Sequence, residues 1–456
     1  MHAKRNSVDL TQGSITPLLL KFAFPILMGQ FFQYLYNSVD SVVVGRFVST
    51  TALAAVTSSG DISSLLVSFF TGLSAGAGVL FSRYFGAKDY QNLKESIHTA
   101  LAFSLILGVV MAVLGIVLTP WLLKIVACPQ EVLADAGIYL RIYLAGVFFT
   151  SLYNVGSGVL RAVGDSRDPF IYLVIASITN IVLDVVFVVV FHMGVMGVAL
   201  ATVIAQALSV ALVFRNMLRT DDVYKLSWNE LKIKKKHLLE IMDLGLPAGL
   251  QMAIISISNL FVQRFINMAG VAAMGGIGVA KKVDKFVVMV PQTLALASGT
   301  FVSQNLGAKK PERAFQGMRC TLVWGIAYTV VGGIVLYIFS DAAIALFTAD
   351  PDTITHGSDM LRVVILFYIF QIVYHVYSNV IRGFGKSRAA MVLSVLGMVV
   401  VRQLYLQIAM AVRFDVRHIY FAYPIGWVGT TVCMLIYFYV VIVRPYRKIT
   451  PHAKLF

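Results

Sequence analysis

The sequence predicts an all-α membrane protein of twelve transmembrane helices, in two homologous six-helix bundles related by a pseudo-twofold axis along the membrane normal. Three observations predict it. Hydrophobic residues make up 58% of the 456, and charged residues only 13%; a soluble domain carries about 25% charged residues. Apolar runs recur along the whole chain, many exceeding the roughly 20 residues that cross a bilayer. The short alternating segments of a membrane barrel are absent. Finally, Arg161-Ala-Val-Gly164-Asp-Ser166-Arg167 returns as Arg382-Gly-Phe-Gly385-Lys-Ser387-Arg388, and Gly86-Ala87-Lys88 returns as Gly307-Ala308-Lys309. Each pair is 221 positions apart, as are Leu140 and Leu361, Arg141 and Arg362, and Tyr153 and Tyr374. One constant offset marks the duplication of a unit of roughly 220 residues.

The elements follow in order. Residues 1–16 form a polar arm, and the first bundle occupies 17–217. Its spans are predicted at 17–46, 53–84, 95–121, 132–160, 169–191 and 195–217. The first holds a proline within an apolar run, Phe24-Pro25-Ile26. The second leaves the membrane at Gly86-Ala87-Lys88, whose glycine suits a helix C-cap. The Arg161–Arg167 motif makes a tight loop between spans 4 and 5, expected to serve as turn, cap and anchor. A polar linker, 218–237, carries Lys234 to Lys236. The second bundle, 238–443, opens on Leu246-Pro247-Ala248 and has spans at 238–267, 273–304, 314–340, 355–381, 389–412 and 419–443, before a tail at 444–456. Six crossings per half is even, so both halves start on the same side. They form a parallel rather than an inverted repeat, with a central cavity expected where they meet.

Charge fixes the orientation. The formal net charge of +15 invites a nucleic-acid partner, but Lys and Arg cluster in alternate loops while the intervening loops are poor in them. That is the positive-inside pattern, with both termini cytoplasmic and the lipid bilayer as partner. No cleavable signal peptide is read at the start. Cys128, Cys320 and Cys433 form neither a disulfide framework nor a CxxC pair. No HExxH or nucleophile elbow occurs, and Gly385-Lys386-Ser387 has Val380 where a P-loop needs its first glycine. The chain is therefore expected not to be an enzyme and to need no cofactor beyond a coupling ion.

Polar residues inside membrane spans are costly and mark function. Gln30, Gln33, Asn37 and Asp40 follow one another by steps of three, four and three, one face of span 1. Ser177, Asn180 and Asp184 do the same on span 5, and Thr202, Gln206 and Ser209 on span 6. Such stripes must face protein or water. Asp40, Asp184 and Thr202 each fall about 8–12 Å inside the outer boundary, at 1.5 Å per residue. Two carboxylates with Asn180 and Thr202 could take up a proton or ligate a hard cation such as Na+. At the repeat offset Asp40 maps to Phe261, Asn180 to Val401 and Asp184 to Tyr405, so any coupling is asymmetric. The second half keeps neutral stripes: Ser256, Asn259 and Gln263 on span 7, and Gln371, His375 and Ser378 on span 10. Arg402 falls near mid-membrane, to counter a carboxylate or bind an anionic group. Lys281, Lys282 and Lys285 flank Asp284 and read as snorkelling side chains with a local ion pair. Gln30, Gln33, Tyr36, Asn37, Tyr139, Asn154, Ser177, Gln206, Asn259, Gln371 and Arg402 are candidates to line a substrate cavity.

Taken together, Pro25, the Gln30–Asp40 stripe, Gly86-Ala87-Lys88, Leu160 to Asp165, Asn180-Ile-Val-Leu-Asp184 and Gly197 to Gln206 make nearly the whole chain resemble the multidrug and toxin extrusion family. The resemblance implies two six-helix bundles around a V-shaped cavity. It also implies export of organic cations and other amphipathic compounds in exchange for Na+ or H+, across a bacterial plasma membrane, by a protein expected to be a monomer. It assigns coupling to Asp40, Asn180 and Asp184, with Thr202 and Tyr139 as neighbours. The neutral seventh and tenth spans place the chain nearer the branch named for DNA-damage-inducible protein F than the branch named for norfloxacin export. Two rivals follow from the same residues. One is a flippase for lipid-linked oligosaccharides, favoured by Arg402. The other is a membrane receptor or scaffold without flux, disfavoured by so many polar stripes.

Overall fold

The computed structural model describes residues 8–125 and 128–449. The start of the predicted arm, 1–7, and the end of the tail, 450–456, lie outside them. All regular structure among the described residues is helical: α1 (Ile15–Phe47), α2 (Thr50–Gly86), α3 (Tyr90–Ile125), α4 (Leu133–Ala145), α5 (Val147–Ala162), α6 (Arg167–Val185), α7 (Gly194–Arg219), α8 (Lys235–Met268), α9 (Val271–Gly307), α10 (Pro311–Ile338), α11 (Ser340–Ala345), α12 (Pro351–Ile365), α13 (Tyr368–Gly383), α14 (Ser387–Val395), α15 (Arg402–Val412), α16 (Val416–Tyr437) and α17 (Arg444–Ile449). Ten unbroken segments are long and apolar enough to cross a membrane, and two bent pairs bring the number of spans to twelve.

The bent pairs refine spans 4 and 10. The first is broken by 42° between α4 and α5, and the second by 57° between α12 and α13. The break is a local exchange of hydrogen bonds. Gly146 N–H donates to Tyr143 O and Phe149 N–H to Gly146 O, so three-residue turns replace the four-residue ladder. Phe367 and Phe370 repeat the exchange, with Phe367 standing 221 positions after Gly146. A glycine is therefore not what makes the bend. Gly146 is needed for another reason: a Cβ there would fall 2.6 Å from the Val203 side chain on α7.

The repeated motifs fold alike. α2 and α9 end with a left-handed residue, but it is the lysine, Lys88 (φ 57°) and Lys309 (φ 56°), not the glycine expected from the sequence. Gly86 and Gly307 are the last helical residues. Asp89 N–H reaches back to Tyr84 O, and Lys310 N–H to Asn305 O, closing the same terminal motif twice. Gly164 (φ 90°) and Gly385 (φ 80°) turn the two Arg-x-x-Gly loops. At Gly164 a Cβ would lie 2.1 Å from Val8 O. Beyond it the Asp165 carboxylate accepts from the N–H groups of Arg167 and Asp168, capping α6. Burial pushes the Asp165 carboxyl up to about 6.

The chain divides into two compact units at boundaries other than the predicted bundles. One holds residues up to Asp9 and Phe24–Gly249, and the other Leu10–Ala23 and Leu250–Phe456. The first unit thus takes the linker and the start of α8. Gly72 and Gly76 of α2 meet Gly245 and Gly249 of α8 backbone to backbone; a Cβ on Gly76 would sit 2.3 Å from Leu244 O. Small residues four apart on both helices allow that approach. The linker is held by a buried histidine: His237 Nε2 lies 3.1 Å from a Glu95 carboxylate oxygen and Nδ1 3.0 Å from one of Glu240. The second unit takes the residues preceding α1 and its first turns. The Leu10 carbonyl accepts from the Asn305 amide at 3.1 Å, and Arg313 Nη2 donates to Gln12 O at 2.9 Å. Its core continues through Phe315, which packs on Phe384, Phe438 and Tyr446.

Candidate functional site

α6 presents Ser177, Asn180 and Asp184 on one face, and all three are buried. α1 brings Asp40 to meet them. Asp40 is only 8% exposed, although Asn37 and Ser38 before it and Ser41 and Val42 after it are exposed. The Asp40 and Asp184 carboxyl groups are direct electrostatic neighbours across the two helices. This is the juxtaposition expected from their equal depth. Asp184 is followed at once by a π-helical turn, Val186–Val190. Such turns rotate the side chains around them and recur at functional sites.

The cluster lacks the donors a structural carboxylate would have. Among the described residues, neither oxygen of Asp184, nor Oδ1 of Asp40, nor either end of the Asn180 amide has a hydrogen-bond partner. Buried polar atoms are almost always satisfied. Two facing carboxyl groups bond to one another only when one carries a proton, and two carboxylates with an amide oxygen offer hard-cation ligands.

Around this pair lie aromatic side chains. Tyr36 and Tyr139 are electrostatic neighbours of Asp40, and Tyr139 also of Asp184. Tyr139 stacks on Tyr143 with centroids 6.1 Å apart. Gln206 accepts from Thr150 Oγ1 at 2.8 Å and reaches Tyr143. Tyr143 and Thr150 were missed from sequence. The i, i+4 step from Tyr139 to Tyr143 could have revealed the first, whereas Thr150 is identified only by what α7 places opposite it.

The other expected residues are placed less centrally. The Thr202 hydroxyl donates to Val198 O of its own helix at 3.0 Å, leaving its lone pairs as its contribution. Ser177 likewise bonds Leu173 O, and the Asn154 amide bonds Thr150 O. Gln30 is half-buried, whereas Gln33 and Asn37 are exposed. In the second unit Gln371 is buried on α13. At the repeat positions, Phe261 is 54% exposed and the Tyr405 hydroxyl pairs with His418 Nδ1 at 3.2 Å.

Arg402 counters no carboxylate among the described residues. It is 1% exposed and follows a π-helical turn, Leu396–Val401. Its Nη1 donates to Asn259 Oδ1 at 2.9 Å and its Nη2 to Ser258 Oγ at 2.6 Å. Asp284 takes the Tyr368 hydroxyl rather than a neighbouring lysine, and Lys281 donates to Gln263 Oε1 at 3.2 Å. The expected local ion pair is thus replaced for these two residues, because α13 supplies a hydroxyl that the lysines' own helix cannot.

Comparison with known proteins adds four findings. The MatE family model matches residues 25–186 and 247–405. The chain is 27% identical over 399 residues to the probable multidrug resistance protein YpnP of Bacillus subtilis, covering 86% of this chain and 88% of that one. It is 31% identical over 358 residues to the probable multidrug resistance protein YoeA of Bacillus subtilis, covering 76% and 77%. Among solved structures, an outward-facing multidrug resistance MATE family transporter of the MOP superfamily superposes with a TM-score of 0.89 at 22% identity, over 98% of this chain and 100% of that one.

Proposed function

The chain belongs to the MatE family, and from that premise we propose that it is a secondary antiporter, exporting amphipathic organic cations in exchange for H+ or Na+. It is a multi-pass membrane transporter of small molecules and not an enzyme. We read it as a monomer in the plasma membrane with both termini cytoplasmic.

One observation carries the coupling: among the described residues, no group donates to the buried Asp184 carboxyl or to Oδ1 of Asp40, with Asn180 beside them. A proton shared between the carboxyls, or a Na+ held by them with the Asn180 and Thr202 oxygens, makes the adjacent arrangement stable. Loss of the ion leaves two facing anions. At a few ångströms this repulsion is worth about 4 kcal/mol with an effective dielectric constant near 20. That is enough to shift a two-state equilibrium about a thousandfold. α1 and α6 would then part, and the arrangement favoured by the ion and that favoured by the substrate would alternate.

The expected result is that Asp40→Asn and Asp184→Asn each abolish efflux of a fluorescent cation from proteoliposomes, while both proteins reach the membrane in normal amount. Drug-stimulated H+ and Na+ fluxes, recorded separately, identify the ion. Full efflux by both variants would sink the coupling site.

A further inference from the structure

We propose that the second unit carries an anion-accepting subsite, formed by Arg402 and Lys281, which share the ring of Tyr423, and that it takes a carboxylate borne by the transported amphipath. It rests on the export reading for the nature of the ligand, and on nothing else in the first unit.

The geometry starts with Arg402. A guanidinium has five N–H donors. Two go to neutral acceptors, Asn259 Oδ1 and Ser258 Oγ. Gln403 supports this floor, its amide donating to both the carbonyl and the hydroxyl of Ser258, each at 2.8 Å. The Nε–H has no acceptor among the described residues. A buried cation held only by neutral groups is expensive, and proteins pair such charges unless the partner arrives from outside.

The second cation lies on α9. Lys281 Nζ is 5.8 Å from the centre of the Tyr423 ring, and Arg402 Cζ is 5.9 Å from the same centre. The aromatic face stabilises both without neutralising either. Lys281 is half-buried and, among the described residues, hydrogen-bonds to the Gln263 amide oxygen alone. Asp284, one turn along α9, could have paired with a cation but is held by the Tyr368 hydroxyl. Asn259, which orients the guanidinium, is exposed. Two positive groups, a planar fork with an unpartnered Nε–H and, among the described residues, no resident carboxylate define a receptor for a planar oxyanion.

The chemical consequence is selectivity among amphipathic cations. A zwitterion should bind better than the same cation without its carboxylate. Rhodamine B, with a free benzoate, and its ethyl ester provide that comparison. Binding to the purified full-length protein in phosphatidylcholine nanodiscs would be followed by fluorescence polarisation. Wild type is expected to favour the acid by about tenfold or more, the size of one charge-assisted hydrogen bond. Arg402→Gln and Lys281→Gln should each bring the acid-to-ester affinity ratio towards one. Lys281→Gln alters a half-buried side chain, so it keeps the test available if Arg402→Gln does not fold. Equal affinity for acid and ester in wild type overturns the subsite, as does a ratio unchanged in both variants. An acid preference that disappears when phosphatidylglycerol replaces phosphatidylcholine also overturns it, since the site then takes a net-anionic lipid headgroup. Efflux from proteoliposomes reads the transport proposal separately. Ester efflux without acid preference removes the subsite alone, whereas acid preference in binding without flux of either dye supports the subsite and removes the transport reading.

Discussion

At the residue scale, an acid's neighbourhood decides its use. Among the described residues no group donates to Asp184 or to Oδ1 of Asp40, whereas the buried Asp165 has two backbone N–H groups on its carboxylate. Asp165 lies outside the spans, and burial raises its carboxyl to about 6 from an ordinary 3.8. Between those values the folded state binds the proton more tightly than the unfolded chain does. Its contribution is therefore fully present at low pH, is lost as pH rises from about 4 to about 6, and is flat above. The size is at most about 3 kcal/mol. Asp165→Asn keeps an acceptor for the cap and removes the proton. Thermal unfolding in detergent from pH 4 to 8 should show wild type losing stability relative to the variant up to pH 6, with parallel curves beyond. Parallel curves throughout would mean that this carboxyl does not carry the slope. The sequence marked Asp165 as part of a repeated loop, but only the fold showed it to be 3% exposed.

At the element scale, helices meet where small residues let them. α2 and the start of α8 approach through Gly72, Gly76, Gly245 and Gly249. Two glycines of α2 make a controlled comparison. At Gly76 a Cβ would collide with the Leu244 carbonyl, while at Gly78 nothing lies within 4 Å. Gly76→Ala should cost about 1–3 kcal/mol by forcing a backbone shift. Gly78→Ala should gain up to about 1 kcal/mol from helix propensity. Melting temperatures of the two detergent-solubilised variants settle it, and a similar effect from both would refute the close-approach account. The spans themselves were legible in sequence, because twenty apolar residues have few other fates. The bends after Ala145 and Ile365 were not. They come from hydrogen-bond exchange at Gly146 and Phe367, residues with nothing chemical in common.

At the scale of the whole molecule, the duplication kept the backbone and released the chemistry. Lys88 and Lys309 share a left-handed conformation, Gly164 and Gly385 share a turn, and Gly146 and Phe367 share a bend. The acid pair has no such twin, since Tyr405 is bonded to His418 and Phe261 is exposed. Moving the acids should therefore fail. Phe261→Asp with Tyr405→Asp, placed in an Asp40→Asn, Asp184→Asn background, is expected to leave cation efflux from proteoliposomes at the background level. Recovered efflux would show that the repeat, not the local shell, supplies coupling.

The sequence by itself determined the helical membrane class, the twelve spans, the duplication and the two carboxyls, because hydrophobic length, a constant offset and the cost of buried charge are properties of the chain. Only the tertiary structure decided which groups were left without partners. Asp184 could have met a serine, and Arg402 could have met Asp284. Instead Tyr368 took Asp284, while Asn259 and Ser258 took Arg402. Such pairings depend on helix rotation and on neighbours 84 to 144 residues away. Hydrophobic periodicity constrains which face is buried, but not which polar group waits there.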